Sequence, residues 1–116
     1  MSRGKVLVCG GRDYSDRRKV YAILDRLHSE DPIWRIVAGG ANGADALACD
    51  WAAMRSIGYI KYPADWETLG RKAGPLRNRE MLERETPHLV VAFPGGPGTA
   101  NMIKLATDSL VPVMIA

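Results

Sequence analysis

The stretch VVAFPGGPGTANM (residues 90–102) joins an apolar run to a glycine-rich turn and then to a helical pattern. A short apolar run that ends at a turn is typical of a buried strand. One glycine satisfies an ordinary turn, whereas three glycines fall within residues 95–98. Glycine lets backbone N–H groups approach a ligand closely, and a helix N-terminus attracts anions. The stretch therefore predicts a phosphate-binding turn that leads into a helix.

The same alternation of apolar runs and helical patterns extends through the chain. Strands are predicted at 5–10, 34–40, 59–63, 88–93 and 111–116, and helices at 15–30, 42–58, 75–85 and 98–110. Strands that are apolar on both faces indicate a parallel sheet covered by helices. We therefore expect one Rossmann-like three-layer α/β domain over residues 1–116, with a mainly parallel five-stranded sheet in the order 3-2-1-4-5.

Several single residues carry local predictions. Ser15 is expected to cap the first helix, Gly58 to end the second, and Pro75 to lie in the first turn of the third. The residues expected in the core are Trp34, Trp51 and Met102 together with the reduced thiols Cys9 and Cys49. His28 and His88 have no second metal ligand nearby in the sequence, so neither a metal site nor a cofactor is predicted.

The composition bounds the class of protein. The chain is 47% hydrophobic and 25% charged, values typical of a folded domain. Its net charge of +3 and pI near 9.1 suit an anionic ligand but are too mild to indicate nucleic-acid binding. No apolar run approaches the length of a membrane span, and the first residues lack a signal-peptide core, so we expect a cytoplasmic protein without membrane contact.

Glycine also follows the predicted strands 5–10 and 34–40, at the edge of the sheet where ligands bind in such folds. The residues predicted to bind a phosphate-bearing ligand at this edge are Gly10, Gly11, Arg12, Gly39, Gly40, Gly43, Asp45, Arg77, Asn78, Gly95, Gly96, Gly98 and Thr99. Thr99 is expected either to cap the last helix or to donate its hydroxyl to the ligand. No Gly-Lys-Ser/Thr occurs, which argues against a Walker-type NTPase, and the G-x-G-x-x-G fingerprint is absent.

Four segments together resemble the YspA/YpsA-related (DUF2493) group of the SLOG superfamily: VCGGRDYSD, VAGGANGADALACDWA, YPADWETLGRKAGPLRNREML and AFPGGPGTANM. The resemblance covers almost the whole chain. It implies a Rossmann-like fold that binds nucleotides or nucleotide-derived ligands. Relatives include the Lonely Guy phosphoribohydrolases, which cut the base from a nucleoside monophosphate, and DNA-processing protein A, which binds single-stranded DNA.

The sequence departs from the Lonely Guy pattern at one position. Those enzymes carry a Pro-Gly-Gly-x-Gly-Thr-x-x-Glu motif whose glutamate serves glycosidic cleavage, and here that position is Met102. A thioether cannot stabilise an oxocarbenium-like charge. Asp45 and Asp13 are the remaining candidates for a catalytic acid, although an aspartate in a helix's first turn equally serves to compensate the helix dipole.

Individual side chains leave alternatives open. Arg77 is the preferred side-chain phosphate ligand because a guanidinium binds phosphate oxygens bidentately. Trp66 is expected either to stack on a nucleobase or to pack under its own loop. Four further basic residues are interpreted as a solvated face: Arg71, Lys72, Arg79 and Arg84.

Three functions follow from these residues. The first is a binding module, or sensor, for a nucleotide or nucleotide-derived molecule of the ADP-ribose type. The second is an enzyme that cleaves an N-glycosidic or phosphate bond in such a ligand. Single-stranded DNA binding is the weakest, since it requires a basic groove with stacking aromatics. Because related proteins pair through helices and the domain is small, a homodimer is also expected.

Overall fold

The computed structural model describes residues 4–116. In chain order these form β1 (Gly4–Cys9), α1 (Arg17–Glu30), β2 (Ile33–Ala38), α2 (Ala44–Met54), β3 (Gly58–Lys61), α3 (Trp66–Leu69), α4 (Ala73–Glu85), β4 (Leu89–Ala92), α5 (Pro97–Asp108) and β5 (Val113–Ile115). A 3₁₀ turn, Gly70–Lys72, joins α3 to α4. The strands and helices alternate as the apolar runs predict.

The strands of residues 4–116 form one sheet in the order β3-β2-β1-β4-β5, and every neighbouring pair is parallel. This confirms the predicted fold class and strand order. The chain moves outward from β1 to β3 and then returns to place β4 on the other side of β1. The strand order reverses between β1 and β4, and open sheets of this kind bind ligands beyond the carboxyl ends of the strands at that point.

Helices cover both faces of the sheet. Val6 and Val8 of β1 face α1 and α2, whereas Leu7 between them faces α4 and α5. Successive side chains of a strand point to opposite faces, so a strand buried on both sides is apolar throughout. This is why the strands read as continuous apolar runs in the sequence.

The predicted helix faces lie in the core. The fully or nearly fully buried residues include Val20, Leu24 and Leu27 of α1, Ala44, Leu47, Ala48, Trp51 and Ala52 of α2, and Met102 of α5. Cys9 and Cys49 are buried free thiols, as expected. A regular spacing of apolar residues along a helix is therefore a reliable guide to which side packs on this sheet.

The two tryptophans predicted to lie in the core differ. Trp51 is 0% exposed, and its indole N–H donates to Asp25 Oδ1 at 2.8 Å. Trp34 is 50% exposed, so that prediction is wrong. It lies near the start of β2, where its ring contacts the cationic groups of Lys5 and Arg35 at 5.6 and 5.0 Å from the ring centroid.

Two predicted helix ends also differ. Asp16, not Ser15, caps α1, and its Oδ1 accepts from Lys19 N at 3.1 Å. Asp and Ser are comparable N-caps, so the sequence does not distinguish neighbours of these types. Helix α2 ends at Met54, and Ser56 takes the left-handed conformation (φ 58°) that was expected of Gly58.

The segment before α4 is more helical than predicted. The loop expected at residues 64–74 contains α3 and the 3₁₀ turn, and α4 begins at Ala73, two residues before Pro75. Asp65 caps α3 by accepting from Thr68 N at 3.2 Å. In α5 the N-cap is Gly96, so Thr99 is not the cap.

The contrast between the tryptophans yields a stability prediction. Trp51→Ala should lower the free energy of unfolding by about 3–5 kcal/mol, because it removes a fully buried ring and the hydrogen bond to Asp25. Trp34→Ala, the control, should cost less than about 1 kcal/mol, the value of an exposed cation–π contact. Urea titration measures both, and equal losses would contradict the assignment of Trp51 to the core.

Candidate functional site

A cavity of about 670 Å³ opens at the carboxyl edge of the sheet, where the strand order reverses. Its wall is built from the segments that follow β1, β2 and β4, together with the first turns of α2, α4 and α5. The predicted site residues that line it are Gly10, Gly11, Arg12, Asp13, Gly39, Asp45, Trp66, Arg77, Asn78, Gly95, Gly96, Gly98 and Thr99. Residues that are far apart in the sequence thus line one cavity.

Gly40 and Gly43 are predicted site residues that do not line this cavity. Both have positive φ, 82° and 76°, which favours glycine. A Cβ at Gly43 would overlap the backbone of Gly11 and Arg12. These two glycines therefore form the turn before α2 and let it pack against the end of β1.

The N-terminus of α5 faces the cavity. The first backbone bond of this helix runs from Ala100 N to Gly96 O at 3.1 Å. The N–H groups of Gly98 and Thr99 precede that bond and have no backbone acceptor within residues 4–116, while Pro97 has no N–H. Unpaired donors and the positive end of the helix dipole make this helix start suitable for an anion.

Arg77, predicted to bind phosphate, makes hydrogen bonds mainly within the protein. Its Nη1 donates to Gly39 O at 2.5 Å and to Tyr62 O at 3.1 Å, and its Nε donates to Asn78 Oδ1 at 3.0 Å. Nη2 alone has no hydrogen-bond partner among residues 4–116. Arg77 therefore ties α4 to the ends of β2 and β3 while one nitrogen remains available to a ligand.

Asn78 connects the same helix to α5. It is 4% exposed, and its Nδ2 donates to Gly98 O at 3.2 Å and to Asn101 Oδ1 at 3.0 Å. Its own Oδ1 accepts from Arg77. Asn78 thus fixes the first turn of α5 relative to the arginine, a bridging role that no sequence pattern indicates.

Asp45 is a buried carboxylate in the cavity wall, 6% exposed, in the first turn of α2. Its Oδ2 accepts from Ala41 N at 3.3 Å, and the N–H of Gly39 adds a second favourable contact. Burial raises the pKa of Asp45 from 3.8 to about 6, although these donors and the Arg77 guanidinium favour the charged form. The carboxyl therefore titrates near neutral pH.

Cys9 lies in the same wall. Burial, and then the nearby Asp45 charge, raise the pKa of its thiol to about 12. A thiol with this pKa is almost entirely protonated at neutral pH and is a poor nucleophile. The cavity therefore has no thiolate available for covalent catalysis at Cys9.

The mouth of the cavity is basic and aromatic. Arg12 and Arg71 are exposed, line it, and have no ion-pair partner among residues 4–116. Trp66 is 51% exposed and packs over Gly74. A Cβ added at Gly74 would lie 3.1 Å from the ring. Tyr14 packs on Phe93 with ring centroids 5.3 Å apart.

Sequence analysis missed two of these mouth residues. Tyr14 carried no signal beyond its position two residues after Arg12. Arg71 was interpreted as part of a solvated face, yet it lines the cavity. Its position five residues after Trp66, a predicted base-stacking residue, is the signal that would have found it.

The histidines have structural contacts. His28 Nδ1 accepts from Ile33 N at 2.9 Å, and His88 Nδ1 accepts from Lys5 N at 3.3 Å. Within residues 4–116 no group of three His, Cys, Asp or Glu side chains is arranged to hold a metal ion. The helices in that range are also too short or too polar to cross a bilayer.

The parallel sheet with a ligand-sized cavity at its switch point defines a Rossmann-like α/β protein. The chain belongs to the YspA, cpYpsA-related SLOG family, whose model matches residues 4–68. It is similar to the Gene 61 protein of Mycobacterium phage D29, with 41% identity over 118 residues that cover 95% of this chain and 94% of the phage protein. The resemblance predicted from the four sequence segments is therefore confirmed.

A solved structure shares the fold. DNA processing protein A (DprA) from Streptococcus pneumoniae matches with a TM-score of 0.51 and 18% identity over 96% of this chain. The match spans 58% of the DprA chain. At this identity the likeness shows the fold alone.

The raised pKa of Asp45 makes stability depend on pH. The folded chain keeps this proton up to pH about 6, whereas the unfolded chain releases it near pH 4, so the stabilisation present below pH 4 is lost as the pH rises to 6. Asp45→Asn stays neutral. Its free energy of unfolding relative to wild type should therefore rise by about 2–3 kcal/mol between pH 4 and pH 7.5.

Urea titrations of both proteins across this pH range measure the difference. Asp50→Asn, the same substitution at an exposed position of α2, is the matched control. A difference between Asp45→Asn and wild type that does not change with pH would contradict the raised pKa.

Proposed function

We propose that this protein binds a nucleotide or a nucleotide-derived phosphate ligand, of the ADP-ribose type, in the cavity at the carboxyl edge of the sheet, and that it acts as a binding module. Membership in the SLOG family supports a nucleotide-related role. The DprA-like fold is equally compatible with a role in DNA processing. The glycines, the unpaired arginines and the tryptophan of the cavity wall favour a small ligand.

The observation that carries this proposal concerns Gly96 and Gly98. A Cβ at either position would meet no atom within 4 Å, and neither has a positive φ. Neither packing nor a left-handed backbone therefore requires glycine there. Both glycines line the cavity at the start of α5, where the free N–H groups of Gly98 and Thr99 lie, and their missing side chains leave room for a phosphate.

The charges around this space agree with an anionic ligand. Arg12 and Arg71 line the same cavity and have no acidic partner within residues 4–116. Unpaired guanidinium groups at a cavity mouth bind phosphate oxygens without first breaking an ion pair. The ring of Trp66 is half-exposed, lines the cavity and contacts Gly74, which supports a stacking contact with a nucleobase.

Nucleotide binding is tested by calorimetric titration with AMP and ADP-ribose. Gly96→Val should reduce affinity more than tenfold, because its side chain fills the space in front of α5 while touching nothing else. Arg12→Ala and Arg71→Ala should each reduce affinity about three- to tenfold, less than a buried charged contact because both are exposed.

The matched control is Arg79→Ala, an exposed arginine of α4 that lies outside the cavity wall. Arg77→Ala is less informative, since it also removes the hydrogen bonds to Gly39 and Tyr62. Wild-type affinity in Gly96→Val would show that these glycines only shape the turn. Binding of an oligodeoxynucleotide in preference to both small ligands would favour the DNA-processing alternative.

We further expect no phosphoribohydrolase activity on ordinary nucleoside monophosphates. Met102 occupies the position of the Lonely Guy glutamate, is 0% exposed, and does not line the cavity. A chromatographic assay for adenine released from AMP, with a Lonely Guy enzyme as the positive control, should give no signal above background. Efficient release would refute this expectation and make Asp45 and Asp13 the acids to replace next.

The pairing of two copies, expected from the family resemblance, stays a prediction.

A further inference from the structure

The phosphate site proposed at α5 makes no use of Asp45, although this carboxylate lies in the same cavity wall. Two backbone donors, from Ala41 and Gly39, hold it in place. An ionised carboxylate offers about four acceptor positions, so acceptor capacity remains for a ligand. Asp45 is 6% exposed and lines the cavity, so a ligand that enters the cavity can donate further hydrogen bonds to its carboxylate.

Two neighbouring residues of α4 contact the two parts of the cavity wall that hold Asp45 and the phosphate site. Arg77 donates to Gly39 O, beside Asp45, and Asn78 donates to Gly98 O, in the first turn of α5. Gly11 links the same two parts of the wall: its O accepts from Ala44 N, beside Asp45, at 3.4 Å, and its N–H donates to Pro94 O, before α5, at 2.9 Å. A ligand whose phosphate rests on α5 therefore presents the chemical unit next to that phosphate to Asp45.

The charge of Asp45 restricts what this unit can be. A second phosphate would be repelled by the carboxylate, whereas hydroxyl groups donate to it. In a nucleotide the unit next to the phosphate is the sugar, and ribose carries two neighbouring hydroxyls that a carboxylate accepts together. A base stacked near Trp66 would lie farther from the phosphate than the sugar does.

We infer that Asp45 is the specificity-determining residue for the sugar: its carboxylate accepts hydrogen bonds from the 2′ and 3′ hydroxyls of the ligand, so the site prefers ribonucleotides to 2′-deoxyribonucleotides. This inference rests on the proposed function, since it requires a nucleotide in the cavity. It adds the class of sugar that the site accepts, which the glycines and arginines around the phosphate do not determine.

Matched nucleotide pairs test the inference. Calorimetry with AMP and 2′-deoxy-AMP should show at least about tenfold tighter binding of AMP by the wild-type protein, the effect of losing one hydrogen bond to a buried charge. In Asp45→Asn the ratio of the two affinities should fall at least threefold. Its affinity for 2′-deoxy-AMP should stay equal or increase, because the variant keeps the cavity and removes a negative charge.

Asp50→Asn is the control, since this exposed aspartate of α2 pairs with Arg17 at 3.3 Å and lies outside the cavity. It should keep the wild-type ratio. A general loss of structure in Asp45→Asn would weaken both ligands together and leave the ratio unchanged, so the ratio separates sugar recognition from folding.

The failures of the two proposals are distinguishable. If the wild-type protein binds AMP and 2′-deoxy-AMP equally, the nucleotide site stands and sugar recognition is overturned. If the wild-type preference persists in Asp45→Asn, recognition of the hydroxyls belongs to another residue and the inference is again overturned. If neither nucleotide binds, the proposed function and this inference both fail.

Discussion

The backbone of Gly11 holds the carboxyl edge of the sheet together. Its N–H donates to Pro94 O at 2.9 Å, which joins the segment after β1 to the segment after β4. Its carbonyl oxygen accepts from Tyr14 N at 3.1 Å and from Ala44 N at 3.4 Å, which ties in the cavity mouth and the start of α2. One residue therefore connects both sides of the switch point and forms part of the cavity wall.

This arrangement divides the glycines of the edge into two kinds. Some are required by close packing around Gly11: a Cβ at Gly95 would lie 2.6 Å from Gly11 N, and one at Gly10 would lie 2.6 Å from Ala44 Cβ. Gly96 and Gly98 meet nothing and are not required by packing. Only Gly96 and Gly98 argue for a ligand. The sequence cannot distinguish them from the glycines that packing requires, because the residue type is the same.

The layers, strand order and helix faces could be predicted from the sequence, since they depend on the periodicity of apolar residues along each element. Trp34 could not be assigned, because its exposure depends on whether a helix covers its face of β2, whereas Ile33 on the opposite face is 2% exposed. The contacts of Arg77 depend on where the carbonyls of Gly39 and Tyr62 lie in space. Sequence patterns place residues on elements, and they do not reveal which distant backbone groups a side chain will satisfy.

The electrostatics of the site link these contacts to function. Arg77 lies against Gly39, between the carbonyls that it binds and the carboxylate of Asp45, and so it offsets part of the cost of burying that charge. The compensation is incomplete, because burial still raises the pKa of Asp45 to about 6. Because its pKa is raised in the folded chain, Asp45 lowers the free energy of unfolding at neutral pH. Hydrogen-bond donors from a ligand would supply the missing compensation. Asp45 would then destabilise the folded protein less when the ligand is bound.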